Sequence, residues 1–214
     1  MDFSVIDKYF SDALSPYQRQ QLMQLGDLYA EWNAKINVVS RKDIDNLYMH
    51  HVLHSLAIYS FLGALKDGTT ILDMGTGGGF PGIPLAIMYP GCSFHLIDRI
   101  AKKLRVASAV AETVGLSNVT FQHGDIAECR NRYDYVVSRA VMRLDALVPL
   151  IRKNVSSVGR NKYANGLVCL KGGDIADEQR SVPYPVVEFP VTEFFAEPYF
   201  DTKLIVYVPM ASKN

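Results

Sequence analysis

Ile71-Leu72-Asp73-Met74-Gly75-Thr76-Gly77-Gly78-Gly79-Phe80-Pro81-Gly82 is the stretch on which the reading of the whole chain turns. A short apolar run ends in an acid, five glycines fall within residues 75–82, and Pro81 stands where a helix can begin. Glycine reaches positive φ without strain and lets a ligand approach the backbone where a Cβ would collide. A buried strand, such a loop and then a helix form a ligand-binding turn at the carboxyl edge of a parallel sheet. Downstream the pattern supports that sheet. Short β-rich runs at 92–98, 118–122, 133–138 and 166–171 alternate with helical patterns near 82–89, 100–115, 144–154 and 174–180. Alternation of this kind predicts parallel strands with right-handed crossovers and helices on both faces. The runs 186–191 and 203–208 follow one another without a helix, which predicts an antiparallel hairpin at one edge. Upstream, to residue 65, the period is helical. Ser15-Pro16 reads as an N-cap with proline at the first helical position. Leu22, Leu25, Tyr29, Trp32 and Ile36 form the stripe that follows, and a second helix is expected from about Ile44 to Leu62. The expected organisation is a helical cap, 1–65, belonging to the same domain as an α/β unit, 66–214.

Composition narrows the class of partner less than it first suggests. The chain has 214 residues, 22 Lys and Arg against 22 Asp and Glu, and 49% hydrophobic residues. That is enough to bury a core without disulfide or metal, and too balanced and apolar for disorder. Zero net charge argues against a uniformly basic nucleic-acid coat, yet the charge is sorted. Residues 99–162 hold twelve basic and five acidic side chains, whereas 1–70 hold six and eight and 163–214 hold four and seven. A local positive field is therefore available. Cys92, Cys129 and Cys169 are odd in number and widely spaced, as expected of free thiols in a reducing cytosol. The opening residues carry no basic leader with an apolar run, and no stretch is long enough to span a bilayer, so a soluble cytoplasmic protein is expected.

Two ligand classes compete for the loop. Gly77-x-Gly79-x-x-Gly82 matches the dinucleotide fingerprint, and Asp98 follows sixteen residues later near the next strand end. S-adenosylmethionine is the better reading. Asp73 would set a carboxylate near its charged methionyl end and would repel a pyrophosphate, and about 70 helical residues precede the loop. Asp98 suits the ribose hydroxyls of either ligand. A nicotinamide-dependent dehydrogenase remains the alternative enzyme.

The stretch from Asp73 to Ala86, with its Phe-Pro-Gly-Ile-Pro-Leu extension, resembles the glycine motif of the bacterial 16S ribosomal RNA methyltransferase G family, also called glucose-inhibited division protein B. Trp32-Asn-x-Lys-Ile-Asn, Lys102-Lys-Leu-Arg, Ser138-Arg139-Ala140 and Leu170-Lys171-Gly172 carry the resemblance from about residue 30 to 172. It implies a Rossmann-like S-adenosylmethionine-dependent methyltransferase fold: a mostly parallel seven-stranded sheet with an antiparallel edge strand and an N-terminal helical extension. It also implies methyl transfer to guanine N7 in the 530-loop region of 16S rRNA, within the small subunit or its precursor; a non-catalytic ribosome assembly factor with a vestigial pocket is the alternative outside enzymes. The cofactor contacts carried over by motif are Gly75, Phe80, Ala127, Glu128 and Arg139. Gly77 and Asp98 join them from the loop itself. One departure stands out. The family often has Arg-His-x-Leu-Asp-Ser on its second N-terminal helix, and here His50 and His54 replace the Arg and Asp.

Remaining polar residues read as follows. His50 and His54 are four apart on a predicted helix, but no third ligand is near, so no metal is expected. His95 and His123, on strands, carry no expected role. Arg139 and Lys171 sit just beyond strand ends, where a cation must be paired or must meet solvent or ligand. Their ordinary partners would be Asp73, Glu128 or Asp174. Arg99, Lys102, Lys103, Arg105, Arg130, Arg132, Arg143, Arg152, Lys153, Arg160 and Lys162 are candidate phosphate contacts, with 159–163 as a basic loop on the binding edge. Guanine N7 carries a lone pair and no proton, so its methylation needs no general base. The catalytic work is positioning, for which Arg139 and Lys171 are the candidates, in a protein expected to be monomeric.

Overall fold

A computed structural model describes residues 1–139 and 141–211; Ala140, in the Ser138-Arg139-Ala140 motif, lies outside the described residues. Helix α1 (Ser4–Phe10) precedes α2 (Pro16–Lys35). Helix α2 starts where the sequence places it: the Ser15 hydroxyl accepts from the Gln18 N–H and the Gln18 side chain accepts from the Ser15 N–H, a reciprocal cap ahead of Pro16. Its buried stripe is Leu22, Leu25 and Tyr29, with Trp32 and Ile36 half-buried beside them.

The second helical run departs from the expected single α-helix. A 3-10 turn, Ile44–Asn46, leads into a π-helical segment, Leu47–Leu53, and only then into α3 (His54–Leu62). Apolar spacing over so short a run does not separate i→i+5 from i→i+4 bonding, and π-turns are frequent at functional sites.

The α/β part alternates as read: β1 (Thr70–Met74), α4 (Gly82–Met88), β2 (Ser93–Asp98), α5 (Ala101–Thr113), β3 (Val119–His123), β4 (Tyr135–Arg139), α6 (Leu144–Ile151), β5 (Gly166–Gly172), the short α7 (Ala176–Gln179), β6 (Val187–Pro190) and β7 (Lys203–Pro209). The seven strands lie in the order β3-β2-β1-β4-β5-β7-β6. Strands β1 to β5 pair in parallel, while β7 runs antiparallel between β5 and the short outer strand β6, so the tail does form an antiparallel pair at that edge.

Successive side chains on a strand point to opposite faces, and the core divides accordingly. Ile71, Tyr135, Val137, Val168 and Leu170 pack on one face with α2, α3, α4 and α5. Leu72, Met74, Val136, Leu167 and Cys169 pack on the other with α6. This alternation fixes the site. Asp73 and Arg139 share the face of Val137, toward the N-terminal helices, while Lys171 takes the opposite face, toward α6 and α7. All three cysteines are buried and unbridged. No helix among the described residues is long and apolar enough to cross a membrane.

Candidate functional site

Strand order reverses at β1, whose neighbours are β2 and β4, and open α/β sheets bind ligands beyond the strand ends at such a point. A cleft of about 520 Å³ opens there, lined by Met74, Gly75, Thr76, Gly77, Gly78, Phe80, Asp98, Arg99, Lys103, Gly124, Ile126 and Arg139 among others. The loop between β1 and α4 forms one wall and is pinned at both ends. The Gly75 and Thr76 N–H groups donate to the Ile97 carbonyl, and the Gly77 N–H donates to Asp98 Oδ2 at 2.7 Å. Asp98 Oδ1 accepts from the Ile100 N–H at 2.7 Å. A carboxylate has about four acceptor positions, so Asp98 keeps two for hydroxyl donors in the cleft.

Asp73 does something other than the sequence suggests. It is fully buried and does not border the cleft. Its Oδ2 accepts from the Thr76 hydroxyl at 2.6 Å and the Gly82 N–H at 2.8 Å, tying the loop's start to its end. Only glycine fits at 82, since a Cβ there would lie 2.7 Å from Asp73 Oδ2 and 2.9 Å from Leu96. Oδ1 has no partner among the described residues. Burial pushes the carboxyl up to about 7, against the two hydrogen bonds and the nearby Arg139, which favour the ionised form. The folded protein therefore holds a proton that the unfolded chain, with a value near 3.8, releases earlier. The stability contributed by Asp73 falls as pH rises between these values. Asp73→Asn retains an acceptor for Thr76 and Gly82 but cannot titrate. Its unfolding free energy in urea, relative to the unaltered protein, is expected to rise from about pH 4 to about pH 7. A difference that stays flat would contradict the raised value.

Phe80 is buried in the wall beside Arg139, which lies 5.2 Å from its ring centroid. Arg139 has none of the carboxylate partners expected. It donates to the His50 carbonyl at 3.1 Å and to His51 Nδ1 at 2.9 Å. Burial lowers its pKa, and Tyr199, Asp73 and Asp43 act against that from a distance. His51 Nε2 lies 2.7 Å from Asp43 Oδ2, and His50 Nδ1 bonds Asp43 Oδ1. These consecutive histidines of the π-helical segment both reach one carboxylate. His50 also stacks on Tyr199, with centroids 3.7 Å apart. Burial, helped by Arg139, pushes His51 down to about 4, so it is neutral at physiological pH. His54 is buried against Tyr199 and Phe200, its Nε2 without a partner among the described residues. Burial pushes it to about 3.

A second cleft, about 560 Å³, lies on the far side of Arg139, Val141 and Met142, which line both. Its remaining wall holds His50, His51, His54, Arg143, Lys171, Glu178, Tyr199 and Lys203. Lys171 donates to the Met142 carbonyl at 2.5 Å and to Glu178 Oε2 at 2.7 Å, which replaces the acids expected from sequence. Glu178 also accepts from the Leu144 N–H at the start of α6.

Gly75, Gly77, Phe80, Asp98 and Arg139 thus come together, and Lys171 stands one cleft away. Ala127 and Glu128 do not join them. Glu128 turns back to accept from the Asp125 N–H, closing a cap on a 3-10 turn, and Ala127 is exposed with its carbonyl bound by Lys153. Their neighbours Gly124 and Ile126 line the cleft instead. The loop 159–163 is also not on the binding edge. It precedes β5, Asn161 bonds Lys66 and Thr69 ahead of β1, and Arg160 faces Asp134 ahead of β4, all at the amino ends of the strands. The cations around the clefts are Arg99, Lys103, Arg139 and Arg143 from the basic middle segment, joined by Lys171 and Lys203 from the acidic tail. Asp43, Glu178, Tyr199 and Lys203 carry no local sequence signal. Asp43 reaches forward and Glu178 back to partners seven or eight positions away, and Tyr199 and Lys203 join the second cleft from the tail.

Known proteins share this architecture. A SAM-dependent methyltransferase from Aquifex aeolicus superposes with a TM-score of 0.54 at 16% identity, over 79% of this chain and 98% of that one. A mutant of MtNAS in complex with S-adenosylmethionine superposes at 0.55 and 15% identity, over 98% of this chain and 84% of that one. At such identities the likeness concerns the fold, which is that of the S-adenosylmethionine-dependent methyltransferases. Sequence reaches further. The profile of the rRNA small subunit methyltransferase G family matches residues 18–183. The ribosomal RNA small subunit methyltransferase G of Bacteroides thetaiotaomicron is 52% identical over 203 residues, 95% of this chain and 98% of its own length. That of Parabacteroides distasonis is 51% identical over 208 residues, 97% of this chain and 90% of its own. With half its residues shared along nearly its whole length, the chain belongs to the ribosomal RNA small subunit methyltransferase G family.

Proposed function

We propose that the chain binds S-adenosyl-L-methionine in the first cleft and methylates N7 of a guanine in the 530-loop region of 16S rRNA, the base entering by the second cleft. The observation that carries this reading is the wall of Arg139, Val141 and Met142 common to both clefts. It sets two ligand sites within reach of one another, one built on the glycine loop and one ringed by cations.

The residues present fit the cofactor. Asp98 keeps acceptor capacity for ribose hydroxyls, and Gly75 and Gly77 border the cleft with bare backbone. Apolar Ile97 and Ile126 suit a purine ring. When bound, S-adenosyl-L-methionine supplies a sulfonium methyl group. The protein's part is to hold the acceptor atom in line with that methyl, and orientation of this kind is worth about 7–11 kcal/mol. Arg139 keeps three N–H groups for guanine O6 or a phosphate, beyond the two it gives to His50 and His51. Arg143 and Lys203 supply cations for the backbone, an interaction that weakens with salt.

The choice of N7 rests on the likeness to the family, and the atom has no proton to lose. Among the described residues lining the second cleft, Glu178 is held by Lys171 and the Leu144 N–H, His51 is bonded at both nitrogens, and His54 is a very weak base, while His50 bonds Asp43 through Nδ1. The helical residues 1–65 then act with the α/β unit as one body, since they supply His50, His51 and Asp43. We place the enzyme in the cytoplasm as a monomer acting on the small subunit or its precursor. Transfer of labelled methyl to subunits lacking the modification tests the reading. Label in the rRNA supports it, and none from folded protein that binds S-adenosyl-L-methionine refutes it. Binding of a nicotinamide dinucleotide in its place would favour the dehydrogenase alternative.

A further inference from the structure

We infer that Asp43 and His51 are positioning residues, which act through Arg139 to aim its guanidinium at the acceptor nucleotide. The inference rests on the proposed entry of the base by the second cleft. A guanidinium cannot accept a hydrogen bond, so the 2.9 Å contact makes His51 Nδ1 the acceptor and Arg139 the donor. The imidazole proton is then on Nε2, donated to Asp43 Oδ2 at 2.7 Å. The carboxylate thereby selects the one neutral tautomer that can hold Arg139. The His50 carbonyl takes a second guanidinium N–H at 3.1 Å, and the Phe80 ring lies beside the plane at 5.2 Å. Two of five donors are committed and three remain for a ligand.

The arrangement keeps both charge and direction. A carboxylate in direct contact with Arg139 would form a two-pronged pair, consuming donors and cancelling the cation. A neutral imidazole set between them fixes the guanidinium while leaving its charge for the clefts it lines. Asp43 meanwhile holds His50, whose ring stacks on Tyr199 in the wall of the second cleft, so one acid fixes both histidines.

A double-mutant cycle tests this. Asp43→Ala and His51→Ala are each expected to lower kcat for methyl transfer by about tenfold to a hundredfold, the penalty for misplacing an orienting group. KM for S-adenosyl-L-methionine should stay nearly unchanged. Asp43→Asn, which keeps an acceptor for His51 Nε2–H, should recover most of the loss. Asp43→Ala combined with Arg139→Ala should be no slower than Arg139→Ala alone, because residues acting through one another are not additive. A second readout needs no turnover. In ¹⁵N spectra of the full chain His51 should show the Nε2–H tautomer and Arg139 slowly exchanging guanidinium signals, both lost in Asp43→Ala at an unchanged melting temperature. Losses that multiply in the cycle, or Arg139 signals unaltered by Asp43→Ala, would overturn the positioning role. Because the spectra are taken on the protein alone, that failure is distinct from a failure of the methyl-transfer reading.

Discussion

Arg139→Ala should cut methyl transfer by about 100-fold to 1,000-fold, the usual loss on deleting one preorganised donor from a reaction centre. Among the described residues it is the one cation lining both clefts. Alanine removes the donors proposed for guanine O6 or phosphate and takes the guanidinium away from His51 Nδ1 and the His50 carbonyl. The fold should survive. The guanidinium is half-buried without a carboxylate in contact, so its removal also relieves a partly desolvated charge, offsetting the orphaned acceptors. Steady-state transfer to the small subunit, with thermal melting as the control for folding, checks both halves. Turnover near that of the unaltered protein would remove Arg139 from the machinery.

The second large effect is expected at Gly75. Its φ of +73° is a conformation that other residues adopt only with strain of about 1–3 kcal/mol. A Cβ there would lie 2.6 Å from a Val141 methyl, on the wall between the clefts. Gly75→Arg adds a long cationic side chain to a cleft of about 520 Å³. S-adenosyl-L-methionine binding, measured by calorimetry, should be abolished. Because the Gly75 N–H still reaches the Ile97 carbonyl only if the loop keeps its path, circular dichroism and melting accompany the titration. Undiminished binding would place the cofactor elsewhere.

How much of this was legible in the sequence follows from how local each feature is. The strand, loop and helix around residues 71–82 could be read because the glycines and Pro81 impose their own backbone. Asp98 and Arg139 could be read because a polar residue at the end of a buried run lands on the carboxyl edge. Side-chain partners were another matter. Sequence alone assigns Asp73 to the cofactor, but the strand turns it under the loop, onto Thr76 and Gly82. Lys171 finds Glu178 through α7, an element of four residues with little signal of its own. The Asp43–His51–Arg139 chain joins residues up to 96 positions apart and passes through a π-turn that apolar spacing could not reveal. Charge behaved likewise. Segment totals pointed to residues 99–162, yet Arg160 and Lys162 fall at the opposite end of the sheet, while Lys171 and Lys203 come to the clefts from a net acidic tail. Neutrality overall and a cationic rim are compatible because the fold sorts the charge again.

If two clefts meet at Arg139 so that an acceptor needing no base receives the methyl group, the methylated atom itself should reveal it. Small subunits lacking the modification are incubated with labelled S-adenosyl-L-methionine and the protein, and the rRNA is then cleaved chemically at N7-methylguanosine. One labelled guanine in the 530-loop region is expected, with the strand cut at that residue. Label resistant to that cleavage, on an exocyclic amine or a ribose hydroxyl, would exclude N7 as the acceptor and overturn the proposed reaction.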